Sequence, residues 1–116
     1  MRTTVTNVAI DCTDLDVMAE FWGGLLGMKV TGRDEDWIDL EPLGDGGPLL
    51  SFQLVPESKS GKNRVHLDVA VPDVHAAGER ARELGATPHG EPMGNPERPF
   101  RVWLDPQGNE FCFVTE

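Results

Sequence analysis

Two stretches of this chain, VTNVAIDCTDL at 5–15 and RVHLDVAVPDV at 64–74, carry the same pattern, and a shift of 59 residues lays one on the other. The shift places Val8 on Leu67, Ile10 on Val69, Asp14 on Asp73, Leu15 on Val74 and, further along, Phe52 on Phe111. Identity is slight, but the order of apolar and polar positions agrees, as in a chain built from one supersecondary unit used twice. That limits the fold to two similar modules, about 1–58 and 59–116, within a single domain over 1–116. At 116 residues the chain is long enough for a real core and too short for two independent ones.

Each half reads as strand, helix and three strands. Residues 5–12 alternate, with Val8, Ile10 and Cys12 on one face and Asn7, Ala9 and Asp11 on the other, which is the period of a half-buried strand. Thr13 and Asp14 supply helix N-cap chemistry, and Leu15, Met18, Ala19, Trp22, Leu25 and Leu26 form one apolar stripe ending at Gly27. Strands are expected near 28–32, 36–41 and 48–55, the last preceded by a turn at 44–47. In the second half a strand at 64–71 leads into a helix with Val74, Ala77, Ala81 and Leu84 on its buried side, closing at Gly85. Strands near 87–90, 100–104 and 109–115 follow, with 91–99 a loop and DPQGN at 105–109 a turn. The fold class is therefore α+β, two tandem βαβββ modules.

Twenty acidic against ten basic side chains give a net charge of −10, which repels phosphate backbones and excludes nucleic acid as a partner. No apolar run approaches the roughly 20 residues that span a bilayer, and MRTTVTNVAI lacks the basic and apolar regions of a secretory leader, so a cytoplasmic location is expected. The two cysteines, Cys12 and Cys112, show neither CxxC spacing nor a disulfide framework and are expected as thiols.

This organisation, together with VAIDCTDLDVMAEFWGGLLGM, RVHLDVAVPD and DPQGNEFCF, resembles the vicinal oxygen chelate superfamily, and within it the glyoxalase-like and bleomycin-resistance-like group. The resemblance covers nearly the whole chain. It implies modules whose mixed sheets curl around a cleft with helices on the outer face, and in many members a divalent metal held by inward-facing side chains of the first and last strands. The superfamily spans glyoxalases, extradiol dioxygenases, epimerases, thiol transferases and metal-free antibiotic binders, so the fold alone does not assign a reaction. A homodimer is implied by the resemblance as well.

Strand parity selects the cleft-facing residues, since positions under the helices must be apolar. It leaves Asn7 and Asp11 on the first strand, Ser51 and Gln53 on the fourth, His66 and Asp68 on the fifth, and Glu110 and Cys112 on the last. Trp37, Arg101 and Trp103 are expected to line or rim the same cleft, where an aromatic wall with a cation suits a planar or anionic ligand; for Trp103 a place in the helix-facing core is an equal alternative. By the 59-residue shift Asn7 pairs with His66 and Gln53 with Cys112, and by resemblance these four match the family's metal-ligand positions. One imidazole, two neutral amides and a thiol make a poor ligand set for Ni²⁺, Zn²⁺, Mn²⁺ or Fe²⁺, so no metal is assigned; His66, Gln53 and Glu110 are the ligands if one is present, with Asp68 able to join by a small rearrangement. Cys112 as a nucleophile needs a thiolate stabilised by a base such as His66, and a small packing residue is the simpler role. No catalytic residue is assigned.

Two functions follow as expectations. One is a protein that binds or sequesters a small molecule in the sheet cleft without a full catalytic metal shell, or carries metal-independent lyase or isomerase chemistry there. The other is a metal-dependent glyoxalase- or dioxygenase-type enzyme in which an ion polarises vicinal oxygens and a carboxylate such as Glu110 moves a proton.

Overall fold

Alternating burial in the strands sets the layers. The computed structural model describes residues 1–116, and they divide into two units, Met1–Ser58 and Lys59–Glu116. In the first unit, β1 (Asn7–Cys12), β2 (Val30–Arg33), β3 (Trp37–Pro42) and β4 (Leu49–Leu54) form a mixed sheet in the order β1-β4-β3-β2. β1 and β4 run parallel, with Val8 opposite Leu50 and Ile10 opposite Phe52; the other pairs are antiparallel. Ile38, Leu40, Leu50 and Phe52 are each fully buried, and they share the face of the sheet against which α1 (Leu15–Leu26) packs.

α1 forms where the stripe places it. The Asp14 carboxylate accepts the Val17 N–H at 3.1 Å, satisfying one of the donors that a helix start leaves open. Leu15, Met18, Phe21 and Trp22 are its buried residues, the last two meeting edge to face with ring centroids 5.2 Å apart. Phe21 replaces Leu25 and Leu26 as a core contact, because those two sit half-exposed on the last turn. Gly27, at φ 67°, ends the helix in the left-handed conformation.

The second unit contains β5 (Leu67–Val71), α2 (Val74–Glu83), β6 (Thr87–Pro88), β7 (Met93–Asn95), β8 (Arg98–Leu104) and β9 (Glu110–Thr115), ordered β5-β9-β8-β6 with β7 beside β8. β5 lies parallel to β9, Leu67 opposite Phe111 and Val69 opposite Phe113. Asp73 caps α2 by accepting the His75 and Ala76 N–H groups. Trp103, Phe111 and Phe113 are buried, and α2 can lie over Trp103 only because residue 78 is glycine: a Cβ there would sit 2.6 Å from Trp103 Cζ2. The DPQGN turn closes on Asp105, whose carboxylate accepts the Gln107 and Asn109 N–H groups and the Asn109 side chain.

Each unit is thus a sheet with one helix, and the expected α+β class with βαβββ-type modules is observed. Three local differences stand out. The fifth strand begins at Leu67, so His66 precedes it. The expected loop 91–99 contains a hairpin, Met93 opposite Phe100 and Asn95 opposite Arg98. β6 is cut to two residues at Pro88, which has no N–H to extend a ladder. No helix is long and apolar enough to cross a membrane.

Candidate functional site

On the face of the first sheet opposite α1, parity brings Asn7, Trp37, Asp39 and Ser51 together. Asp39 lies across from Ser51 in the β3–β4 ladder, and Trp37 across from Gln53. One carboxylate oxygen, Asp39 Oδ1, accepts three donors: Ser51 Oγ–H at 2.6 Å, Trp37 Nε1–H at 2.7 Å and Asn7 Nδ2–H at 3.4 Å. Asn7 Nδ2 also donates to Ser51 Oγ at 3.0 Å. The short distances are those of hydrogen bonds to an ionised acceptor. Ser51 is fully buried, so its hydroxyl has no water to turn to. Gly32 leaves room for the other carboxylate oxygen, which lies 3.3 Å from where a Cβ would stand. The result is an indole ring held at its N–H edge by a carboxylate.

Asp39 is the residue that sequence reasoning missed. The signal was present in WIDLEP at 37–42: once Ile38 and Leu40 are assigned to the core, Asp39 must share a face with Trp37. Asp11 and Gln53 are exposed and paired in register at the far end of β1 and β4, outside this network.

On the second sheet, His66, Asp68 and Cys112 gather at the β5–β9 junction. Asp68 lies directly across from Cys112, and His66 Nε2 is 3.3 Å from Asp68 Oδ1. One donor atom from each of the three lies within 4.8 Å of the others. His66 and Asp68 are exposed, whereas Cys112 is only 9% exposed. Burial, reinforced by the Asp68 charge, pushes the Cys112 thiol up, and Lys62 opposes this only in part. The side chain is therefore a thiol at neutral pH, poorly suited to attack as a nucleophile.

Glu110 has a different occupation. Its carboxylate accepts the Asn63 backbone N–H at 2.7 Å and faces Lys59 Nζ at 3.6 Å, while the Asn63 amide donates to the Glu110 carbonyl. Burial alone would push this carboxyl up, but the Asn63 hydrogen bond with the Lys59 and Lys62 charges outweighs it and holds the group below the usual carboxylate range. Glu110 pins the segment 59–63 to the start of β9. Trp103 takes the helix-facing alternative, buried beside Gly78, and Arg101, expected at the cleft, lies on the helix side instead because it shares Trp103's strand parity, its guanidinium stacking on that ring at 5.4 Å.

The register also changes the internal equivalence. Along the first strand the offset is 59, but Leu50 corresponds to Phe111 and Phe52 to Phe113, an offset of 61. The counterpart of Cys112 is therefore Ser51, and Gln53 corresponds to Val114.

Whether the side chains suit a divalent metal differs between the units. In the first, Asn7 and Ser51 offer neutral groups already bonded to each other, and the nearby carboxylate oxygen is saturated by three donors. This set does not fit. In the second, an imidazole, a carboxylate and a thiol within reach of one another fit a borderline ion such as Zn²⁺, provided the thiol is deprotonated.

The chain matches the family model described as "Glyoxalase-like domain" over residues 7–114, and it belongs to that family, part of the vicinal oxygen chelate group. No curated protein matches it in sequence. Among solved structures it is similar to a glyoxalase/bleomycin resistance protein/dioxygenase family enzyme from Burkholderia phytofirmans, with a TM-score of 0.81, 20% identity and coverage of 97% of this chain and 98% of that one. A glyoxalase-related enzyme from Fulvimarina pelagi gives a TM-score of 0.77 at 18% identity, covering 99% and 89%. The fosfomycin resistance protein FosX from Mesorhizobium loti gives 0.76 at 15% identity, covering 100% and 94%. At these identities the likeness establishes the shared fold.

Proposed function

We propose that this chain binds a small, planar organic molecule on the helix-free side of its first sheet, without a complete catalytic metal shell. The observation that carries this reading is the Trp37–Asp39–Ser51–Asn7 network. A half-buried indole fixed by a carboxylate loses little freedom when a flat ligand stacks on it, so the ordering cost of binding is already met. Membership of a family that includes small-molecule binders supports the same reading.

The test is a thermal-shift screen of planar aromatic fragments against the protein and its Trp37→Ala variant. A ligand that binds the folded state must raise its melting temperature. Fragments that stabilise the protein and fail to stabilise Trp37→Ala support the reading; a hit set unaffected by the substitution refutes it.

A second reading, a metal-dependent enzyme, is favoured by the His66, Asp68 and Cys112 triad. A bound ion would polarise neighbouring substrate oxygens. In that case Asp68 is the available carboxylate, because Glu110 is committed to Lys59 and Asn63. Titration with Co²⁺ discriminates: a thiolate-to-cobalt absorption band lost in Cys112→Ser favours the metal reading, and its absence favours the first. We further propose a cytoplasmic homodimer, on family grounds; light scattering that gives a mass near 12.7 kDa would contradict the dimer.

A further inference from the structure

The helix side of the second unit carries a second concavity, of about 170 Å³, walled by α2 and β8 and lined by His75, Glu79, Arg82, Arg101 and Trp103. Two guanidinium groups converge on one ring there: Arg82 from the helix and Arg101 from the strand lie 5.5 Å and 5.4 Å from the Trp103 centroid. Like charges gathered in this way repel each other unless something negative sits with them. No carboxylate of the protein forms an ion pair with either of them. Arg80, a neighbouring arginine of α2, pairs with Glu83, but the Arg82 side chain makes no ion pair or hydrogen bond, and the Arg101 side chain uses only its Nε–H, donated to the Gly90 carbonyl at 2.9 Å. Glu79 shares the concavity without pairing with either.

The ring they share adds an independent observation. Trp103 is 2% exposed, and its Nε1–H is buried without an acceptor, which is rare for an indole donor. Gly78 is what allows α2 to approach this edge of the ring, so the site's floor depends on the absence of a side chain at one position.

We propose that this concavity binds a small tetrahedral oxyanion, either free phosphate or the phosphate group of a phosphorylated metabolite. Planar guanidinium forks match such oxygens two at a time, and stacking on Trp103 holds both forks in place before the ligand arrives. The site lies on the opposite side of the second sheet from Asp68 and Cys112, so it stands independently of the small-molecule reading above.

The test follows the Trp103 indole N–H cross-peak by NMR on the full chain, titrated with inorganic phosphate or glycerol phosphate against sodium chloride at equal ionic strength. The protein should show a saturable shift that chloride does not reproduce. Arg82→Lys keeps the charge and loses the fork, and it should weaken binding roughly tenfold, as should Arg101→Lys. Glu79→Gln removes the opposing carboxylate and should tighten binding a few-fold. Tighter binding of the ester assigns the site to a phosphorylated metabolite, and equal or tighter binding of inorganic phosphate assigns it to the free ion. No saturable shift, or a shift unchanged in both arginine variants, overturns the proposal.

Discussion

Removal of the Asp39 side chain is the sharpest test of the polar network. In Asp39→Ala three donors lose one acceptor. Their losses are unequal. Trp37 is half-buried and Asn7 keeps its bond to Ser51, so water and the remaining partner recover much of both. Ser51 is fully buried, and its stranded hydroxyl costs about 1–3 kcal/mol; with the lost charge-assisted bond to the indole, the total is about 2–3 kcal/mol. In urea, with a slope of about 1–2 kcal/mol/M for a chain of this size, the midpoint should fall by about 1–3 M. Tryptophan fluorescence and circular dichroism should be followed together, because coincident curves license the two-state treatment. Ser51→Ala alone should cost about 1 kcal/mol and should cost nearly nothing when Asp39 is already Ala, a coupling that only directly bonded groups show. A loss below about 0.5 kcal/mol in Asp39→Ala, or additive effects in the double variant, would refute the reasoning.

Other consequences are as direct. Gly78→Ala forces a methyl group to 2.6 Å from Trp103 Cζ2 and should destabilise by about 1–3 kcal/mol or more, read by the same denaturation curves. Glu110 has its folded-state pKa lowered, so its contribution is present above the unfolded carboxylate range and disappears as pH falls through the folded value; Glu110→Gln should flatten the acid side of the stability profile. Cys112 titrates in the opposite sense. Its raised pKa means stability is contributed below the ordinary thiol range and lost as pH rises toward the folded value, and iodoacetamide at pH 8 should alkylate the folded protein far more slowly than the unfolded one, as mass spectrometry would report.

Much of the fold was legible because it depends on period and capping. The alternation of β1, the α1 stripe and the Asp14 and Asp73 caps are local signals that tertiary packing did not override. The hairpin at 93–100 was hidden, since Gly94 and Pro99 read as loop residues until Met93 meets Phe100 across the ladder. For the site, parity put Leu50, Phe52, Phe111 and Phe113 in the core, where they are buried, but could not say how far one strand slides along its neighbour. Sliding by two residues preserves parity, which is why Gln53 and Ser51 looked equivalent from the sequence and are not in the sheet. Trp103 was ambiguous for another reason: a tryptophan is apolar enough for a core and polar enough for a rim, and only the gap at Gly78 decides between them.

The mismatch between the 59-residue offset of β1 and the 61-residue offset of β4 has a practical reading. Because side chains on a strand recur every second position, a closing strand that slides by two residues along its neighbour presents new groups on the open face while apolar side chains still fill the hydrophobic one. Loop-length variants of this scaffold should accordingly alter what they bind long before they stop folding.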